Sequence, residues 1–355
     1  MSLDLPLQPP FPPMEARTAE EVPEGAGWRF EPKWDGFRCL VFRDGDEVYL
    51  QSKAGKPLGR YFPDVAAAMG RLEARRFVLD GELVIPVEGE LSFDELQLRL
   101  HPAASRVAKL AAAHPAELVV FDLLVGDDGR SLVDQPLTAR REALEGFAGR
   151  FFAAAPALRL TPATDDRGRA VRWLTSPTSS LDGVIAKLAD QPYRSGEREG
   201  MVKVKRLRTA DCVVGGFRYA SAGKVVGSLL LGLYGDDGKL HHVGFTSSFD
   251  HAARQELTPR LEALRDRAAA AGGEIGFSGN APGGPSRWST ERSTEWEALP
   301  PDLVVEVLYD HWSGGRFRHG TRLLRFRPDK APERCTFDQV PRGARLEEAL
   351  SATAR

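Results

Sequence analysis

The chain has 355 residues, 42% hydrophobic and 28% charged, an ordinary globular balance with enough length for two domains with real cores. A formal net charge of −2 and a pI near 6.4 exclude a protein that coats nucleic acid by bulk charge, since such binding needs many lysine and arginine contacts to phosphate. Cys39, Cys212 and Cys335 are few, odd in number and far apart. With no C-x-x-C and no histidine cluster at metal-ligand spacing, they favour neither a disulfide frame nor a zinc site, and they point to a reducing cytoplasm.

Residues 1–13 lack a basic segment followed by an apolar core, and no window approaches the ~18 apolar residues of a membrane span, so neither secretion nor membrane insertion is expected. Pro9-Pro10-Phe11-Pro12-Pro13 reads as an extended surface leader. Next comes Lys33-Trp34-Asp35-Gly36-Phe37-Arg38, a lysine beside a tight Asp-Gly turn that runs straight into a strand at 37–42. Such a lysine is either a solvated turn charge or a nucleophile. Free lysine titrates near ~10.4, so attack on an electrophile at neutral pH requires desolvation or nearby cations.

Asp44-Gly45 signals a hairpin between strands 37–42 and 47–52. An amphipathic helix at 64–74 and a strand at 77–87 follow, then the capping box Ser92-Phe93-Asp94-Glu95 opens a helix toward Leu100. A strand at 117–125 ends in the Asp127-Asp128-Gly129 turn, Thr138 is placed to cap a helix to Gly149, and short strands are expected at 183–188 and 201–204. Beyond Arg208 the texture changes to strands at 211–218, 225–234 and 240–246, a helix at 250–271, a Gly/Pro/Ser-rich loop at 272–287 and a strand at 303–309. The expectation is an α+β chain: a domain of mixed sheets with flanking helices at 1–207, then a small β-barrel of the OB type at 208–355.

Several segments could carry chemistry. Asp80 and Glu82 are two apart on a strand and so share a face, either a solvated edge or a site. Phe121 and Asp122 point to opposite faces, so one of them at most lines a given pocket. Asp182 stands at the mouth of strand 183–188, as a turn residue or a ligand for Mg²⁺, with Lys187 near the far end. In Val202-Lys203-Val204-Lys205 the alternation puts both lysines on one face, which suits a bound anion or a lysine-guarded edge strand. Residues 194–208 and 316–330 are densely basic, the second with Arg316, Arg318, Arg322, Arg325, Arg327 and Lys330 against only Asp329, a pattern that suggests directed phosphate-binding surfaces.

In order, these segments resemble the motif series of the covalent nucleotidyltransferases, the superfamily of ATP-dependent DNA ligases, RNA ligases and mRNA capping enzymes. The resemblance spans Lys33-x-Asp35-Gly36-x-Arg38, Ser52-Lys53, Asp80-Gly81-Glu82, Phe121-Asp122, the segment from Asp182 to Lys187, Lys203-Val204-Lys205 and Arg327-Pro328-Asp329-Lys330. It implies a nucleotidyltransferase (adenylation) domain followed by an OB fold, with Lys33 as the nucleophile that takes AMP from ATP. It further implies Glu31 at the purine edge, Arg38 and Glu82 at the ribose, Phe121 stacked on adenine, and Lys203 and Lys205 at the α-phosphate. Arg327, Asp329 and Lys330 would orient the leaving pyrophosphate. Asp182 would hold Mg²⁺, with Mn²⁺ as the alternative. Two positions depart from the family pattern: Asp182 replaces a glutamate, and Lys53, assigned to ribose or a 5′-phosphate, replaces an arginine and so loses its planar fork.

The two-domain layout and the segments at 31–36 and 210–216 resemble the small bacterial ATP-dependent DNA ligases of the C type used in repair. The implied reaction transfers AMP to a 5′-phosphate and seals the break with the 3′-hydroxyl. Expected partners are nicked or gapped double-stranded DNA and a repair polymerase, primase or end-binding protein; the protein is expected to be a cytoplasmic monomer. A capping-type guanylyltransferase or RNA ligase is the alternative enzyme, and a retired ligase fold serving only to bind nucleic acid is the alternative without catalysis.

Overall fold

The computed structural model describes residues 3–175, 181–221, 223–272, 275–283, 295–340 and 345–351. The chain divides into two compact units, Met1–Arg206 together with Arg342–Arg355, and Leu207–Pro341. The end of the chain therefore differs from the expected 208–355 domain. The helix Leu346–Ser351 buries Leu346 and Ala349 in the same cluster as Trp34 and Trp173 of the first unit, and the Leu346 N–H donates to Gly89 O.

The first unit is built on two sheets. One runs Arg17–Ala19, Met201–Lys205, Gly183–Leu188, Trp28–Pro32, and the other Glu47–Ser52, Phe37–Asp44, Arg76–Val84, Glu117–Val125, Leu158–Leu160. Residues 33–36 carry the chain from the first sheet to the second. The strand Met201–Lys205 lies between two neighbours, so the reading of its lysines as guards of an exposed edge does not hold. The strand Arg76–Val84 is also internal, with Asp80 fully buried, which rules out a solvated edge there.

Helices Pro63–Arg71, Ala104–Ala113 and Leu137–Phe151 cover the five-stranded sheet, and Phe62, Met69, Leu79, Leu144 and Phe147 fill the space between. Each such side chain contributes about 1.5–3 kcal/mol by leaving water. Ser92 caps Phe93–Arg99 by accepting from the Glu95 N–H. Thr138 does not cap its helix: the N–H groups of Leu137 and Thr138 are taken by the carbonyls of Gln191 and Ala189, and the helix begins two residues earlier than a Thr138 cap would place it, at Leu137. The proline-rich leader is anchored rather than merely laid on the surface. Leu3, Leu5, Leu7 and Met14 are buried, and Gln51 pairs through its side-chain amide with both backbone groups of Phe11.

The second unit is a meander with the strand order Leu240–Thr246, Val226–Tyr234, Arg208–Tyr219, Val304–Tyr309, Arg322–Phe326. The helix His251–Ala271 is capped by Asp250, whose side chain accepts from the Ala253 N–H. The two ends of the sheet meet at a single bridge, Thr246 to Thr321, so the arrangement is OB-like, without a continuous closing ladder among the described residues. The loop expected at 272–287 lies partly outside the described residues.

Candidate active site

Lys33 sits where one sheet hands the chain to the other, and its surroundings fix it there. Its N–H donates to Gly183 O at 2.9 Å. Trp34 is buried, with its indole N–H on Thr161 Oγ1 at 2.8 Å. Gly36 must be glycine, since a Cβ there would lie 2.0 Å from Leu83 O. The tight Asp-Gly turn thus presses against the strand that carries Glu82.

Beside this turn is a cavity of about 220 Å³ whose walls come from both sheets. Glu31, Lys33, Arg38, Lys53, Glu82, Phe121 and Lys203 of the expected site residues all line it. Lys205 and Asp182 are not among its lining residues, and Arg327 and Lys330 belong to the second unit. Met14, Ile185 and Met201 supply apolar wall and Lys187 a further cation, four lining residues that the sequence pattern does not mark as part of the site.

Lys187 has several roles here. It is buried, its Nζ pairs with Glu31 Oε2 at 2.8 Å, and it stands 4.8 Å from the centroid of the Phe121 ring. The pairing follows from register, because Lys187 faces Arg29, and Ile185 faces Glu31, across the antiparallel strands. Glu31 is itself buried, and among the described residues its Oε1 has no hydrogen-bond partner. A buried carboxylate oxygen left in that state costs on the order of 1–3 kcal/mol, which a donor on a bound ligand would recover.

Arg38 lines the cavity and is tied to Asp80. Its guanidinium grips Asp80 through Nε at 2.6 Å and a terminal nitrogen at 2.5 Å, and lies 4.6 Å from the Phe121 centroid. Tyr193 donates its hydroxyl to the same carboxylate at 2.6 Å. Burial works against the Arg38 charge, but Asp80 and Tyr193 outweigh it and raise its pKa. Glu82, opposite Arg38 in register, is pushed up to about 7 by burial, against the pull of Arg38 and Lys33 and with help from Asp35 and Asp80. The Phe121 ring lines the cavity and Asp122 is buried in a two-bond pair with Arg140, but both residues also line a smaller neighbouring pocket, so the expectation that one at most lines a given pocket does not hold.

The positive charge is concentrated on one side of this chemistry. Burial lowers the pKa of Lys203, and Lys205, Lys53, Lys33 and Arg198 lower it further. Glu15 offsets part of that charge by pairing with Lys53 at 3.2 Å and Arg198 at 3.1 Å. One carboxylate oxygen of Asp35 and one of Asp182 lie within 4.8 Å of each other, a pair of hard oxygen donors that fits a Mg²⁺ or Mn²⁺ ion.

A family model described as ATP dependent DNA ligase domain matches residues 13–205, and one described as ATP dependent DNA ligase C terminal region matches 222–330. The chain belongs to the ATP-dependent DNA ligases. DNA ligase C1 of Mycolicibacterium smegmatis is 46% identical over 350 residues, covering 95% of this chain and 96% of that relative. DNA ligase C of Mycobacterium tuberculosis is 42% identical over 352 residues, with 96% of each covered. Among solved structures, one from a study of Lig E DNA ligases matches with a TM-score of 0.51 and 15% identity, covering 88% of this chain and 100% of that one; it speaks to the fold alone. This ATP-dependent DNA ligase is therefore an enzyme with a DNA substrate, and the RNA-directed alternative is not favoured. Among its described residues no helix is long and apolar enough to cross a membrane.

Proposed function

We propose that this ligase works through a covalent lysyl-AMP at Lys33 and seals nicks in double-stranded DNA during repair. The supporting observation is a single cavity holding Lys33, a crowded lysine at Lys203, an aromatic wall at Phe121 and the unpartnered Oε1 of Glu31. An adenine amine is the donor that Glu31 Oε1 lacks, and the ring fits between Phe121 and the apolar Ile185 and Met201.

In the first step unprotonated Lys33 Nζ attacks the α-phosphorus, a P–N bond forms, the bond to pyrophosphate breaks and a proton leaves the amine. Lys203, and Lys205 behind it on the same strand face, stabilise the charge that builds on the phosphate oxygens. Lys53 reaches the ribose or a 5′-phosphate, Glu82 accepts from a ribose hydroxyl, and Arg327 and Lys330 take the pyrophosphate. Asp182, with Asp35, would hold Mg²⁺ or Mn²⁺, which supplies further charge neutralisation at the phosphates when bound. Arg38 fits better as a brace for Asp80 and Phe121 than as a ribose contact. An oxygen of the DNA 5′-phosphate then attacks the AMP phosphorus and releases Lys33, and the 3′-hydroxyl displaces AMP. Gapped duplex, a repair polymerase, primase or end-binding partner, a monomeric state and a bacterial cytoplasmic setting belong with this reading.

The test is labelling with ATP carrying radioactive α-phosphate. Wild type should acquire label with ATP and not with GTP; Lys33→Ala should acquire none yet still close a pre-adenylylated nick. Labelling that persists in Lys33→Ala would assign the nucleophile elsewhere.

A further inference from the structure

In the second unit, two imidazoles and a carboxylate meet at the base of the small hairpin made by Trp312–Ser313 and Arg316–Phe317. Asp310 and His311 lead into the hairpin from Val304–Tyr309, and His319 follows it. Asp310 Oδ1 is 3.0 Å from His319 Nδ1, and Asp310 Oδ2 is 3.9 Å from His311 Nε2. The two rings lie 5.4 Å apart, centre to centre, and tilted 77°. One donor atom of each residue falls within 4.8 Å of the other two. Donors bound tetrahedrally to Zn²⁺ at ~2.0–2.1 Å stand roughly 3.3–3.4 Å apart, so the observed separations bracket a bound geometry and need only side-chain adjustment to reach it.

The donor set selects the ion. Two neutral imidazoles and one carboxylate suit a borderline divalent transition metal, whereas Mg²⁺ prefers oxygen and keeps its waters. His311 is buried and Asp310 mostly so, while His319 is exposed. Entry is therefore from the His319 side, with room for a water as a further ligand.

We propose that Asp310, His311 and His319 form a binding site for a divalent transition metal of the Zn²⁺ class, which ties together the two ends of the hairpin. The Arg318 N–H to His311 O bond at 3.1 Å already joins these ends, and the metal would add a second tie that holds the basic residues Arg316 and Arg318 in one geometry. The H-x7-H spacing, with an aspartate just before the first histidine, falls outside the short spacings that mark most structural zinc sites, which is why cysteine and histidine counting passes over it. The proposal does not depend on the role assigned to Lys33.

The test titrates the full-length, metal-stripped protein with Co²⁺, followed by visible absorption, and with Zn²⁺, followed by calorimetry. One equivalent should bind with the intense d–d bands of a low-symmetry site, be displaced by Zn²⁺ and resist excess Mg²⁺. Even partners behind metal ligands are worth ~10–100-fold in affinity, so His319→Ala and His311→Ala should each weaken binding ~100-fold or more. His319 is exposed, so its variant should unfold at the wild-type temperature in the absence of metal. Absence of the bands, or bands that survive His319→Ala, would overturn the site and leave Asp310 and His319 as a plain ion pair.

Discussion

Lys203 in the first unit stands among Lys33, Lys53, Lys205 and Arg198, and burial followed by that company lowers its pKa. Arg327 in the second unit is instead wrapped in acid. It binds Asp329 through two nitrogens and Asp211 at 3.0 Å, and the Asp329 hydrogen bond leads a rise in its pKa, while Lys330 pairs with the same Asp211 at 3.3 Å. The carboxylates mirror this contrast. Glu82 is held up at about 7, chiefly by burial, and Asp329 is drawn down to about 2, chiefly by Arg327. Around Lys203 the positive charge is left under-compensated, which suits a preformed receptor for a multiply charged ligand; around Arg327 and Lys330 the carboxylates neutralise the cations and hold them in place.

The largest effect should come from removing the crowded cation. Lys203→Met deletes a charge placed for the transition state, so the rate of lysine adenylylation should fall by ~10²–10³. Because the folded state works against protonation of Lys203, the variant should be no less stable than wild type in thermal unfolding. Loss of stability without loss of rate would mean that the lysine is a structural contact, and the contrast between the two units would collapse.

Cutting the clamp in the second unit should cost less. Asp211→Asn takes away the carboxylate shared by Arg327 and Lys330 and leaves Asp329 on Arg327. Under the proposed mechanism, adenylylation should slow about tenfold, below the ~10² that misplacing a reacting group costs, while sealing of a pre-adenylylated nick stays unchanged. A faster first step in this variant would identify the pairing as a resting state that holds the two cations back.

Sequence reasoning reached far into the first unit and unevenly into the second. The residues around Lys33 were legible because the chemistry fixes both their type and their order, and Glu31, Glu82, Phe121 and Lys203 do line one cavity. The grip of Arg38 on Asp80, the pair between Lys187 and Glu31, and the anchoring of Arg327 by Asp211 were not legible. The first two are diagonal neighbours across paired strands and the third joins segments far apart in the chain, and such placements are set by packing that no single segment encodes. The helix Leu346–Ser351 was missed for a related reason: its apolar face is short, and its place in the first unit depends on a surface presented by distant residues. In the second unit the strand pattern fixes neighbours along the chain but not how the two ends meet, which among the described residues is at the Thr246–Thr321 bridge.

The smallest expected effect tests the contrast through pH. Glu82 holds its proton more strongly in the folded protein than in the unfolded chain, where it titrates at the ordinary glutamate value of about 4.5. Between roughly pH 4.5 and 7 the folded state therefore binds more protons than the unfolded state, and stability contributed by the protonated carboxyl is lost as pH rises through that window. The slope from one such group is at most ~1.4 kcal/mol per pH unit, and less where Arg38 and Lys33 share the change. Asp329 has the opposite sign, since its lowered pKa contributes stability that is present above 3.8 and lost as pH falls toward 2. Glu82→Gln, which mimics the protonated form, should thus flatten urea-unfolding stability between pH 5 and 7 and leave the acid limb below pH 4 in place. Wild-type and variant curves that run parallel from pH 5 to 7 would mean that Glu82 ionises normally, and the first unit would then hold its carboxylate no differently from an exposed one.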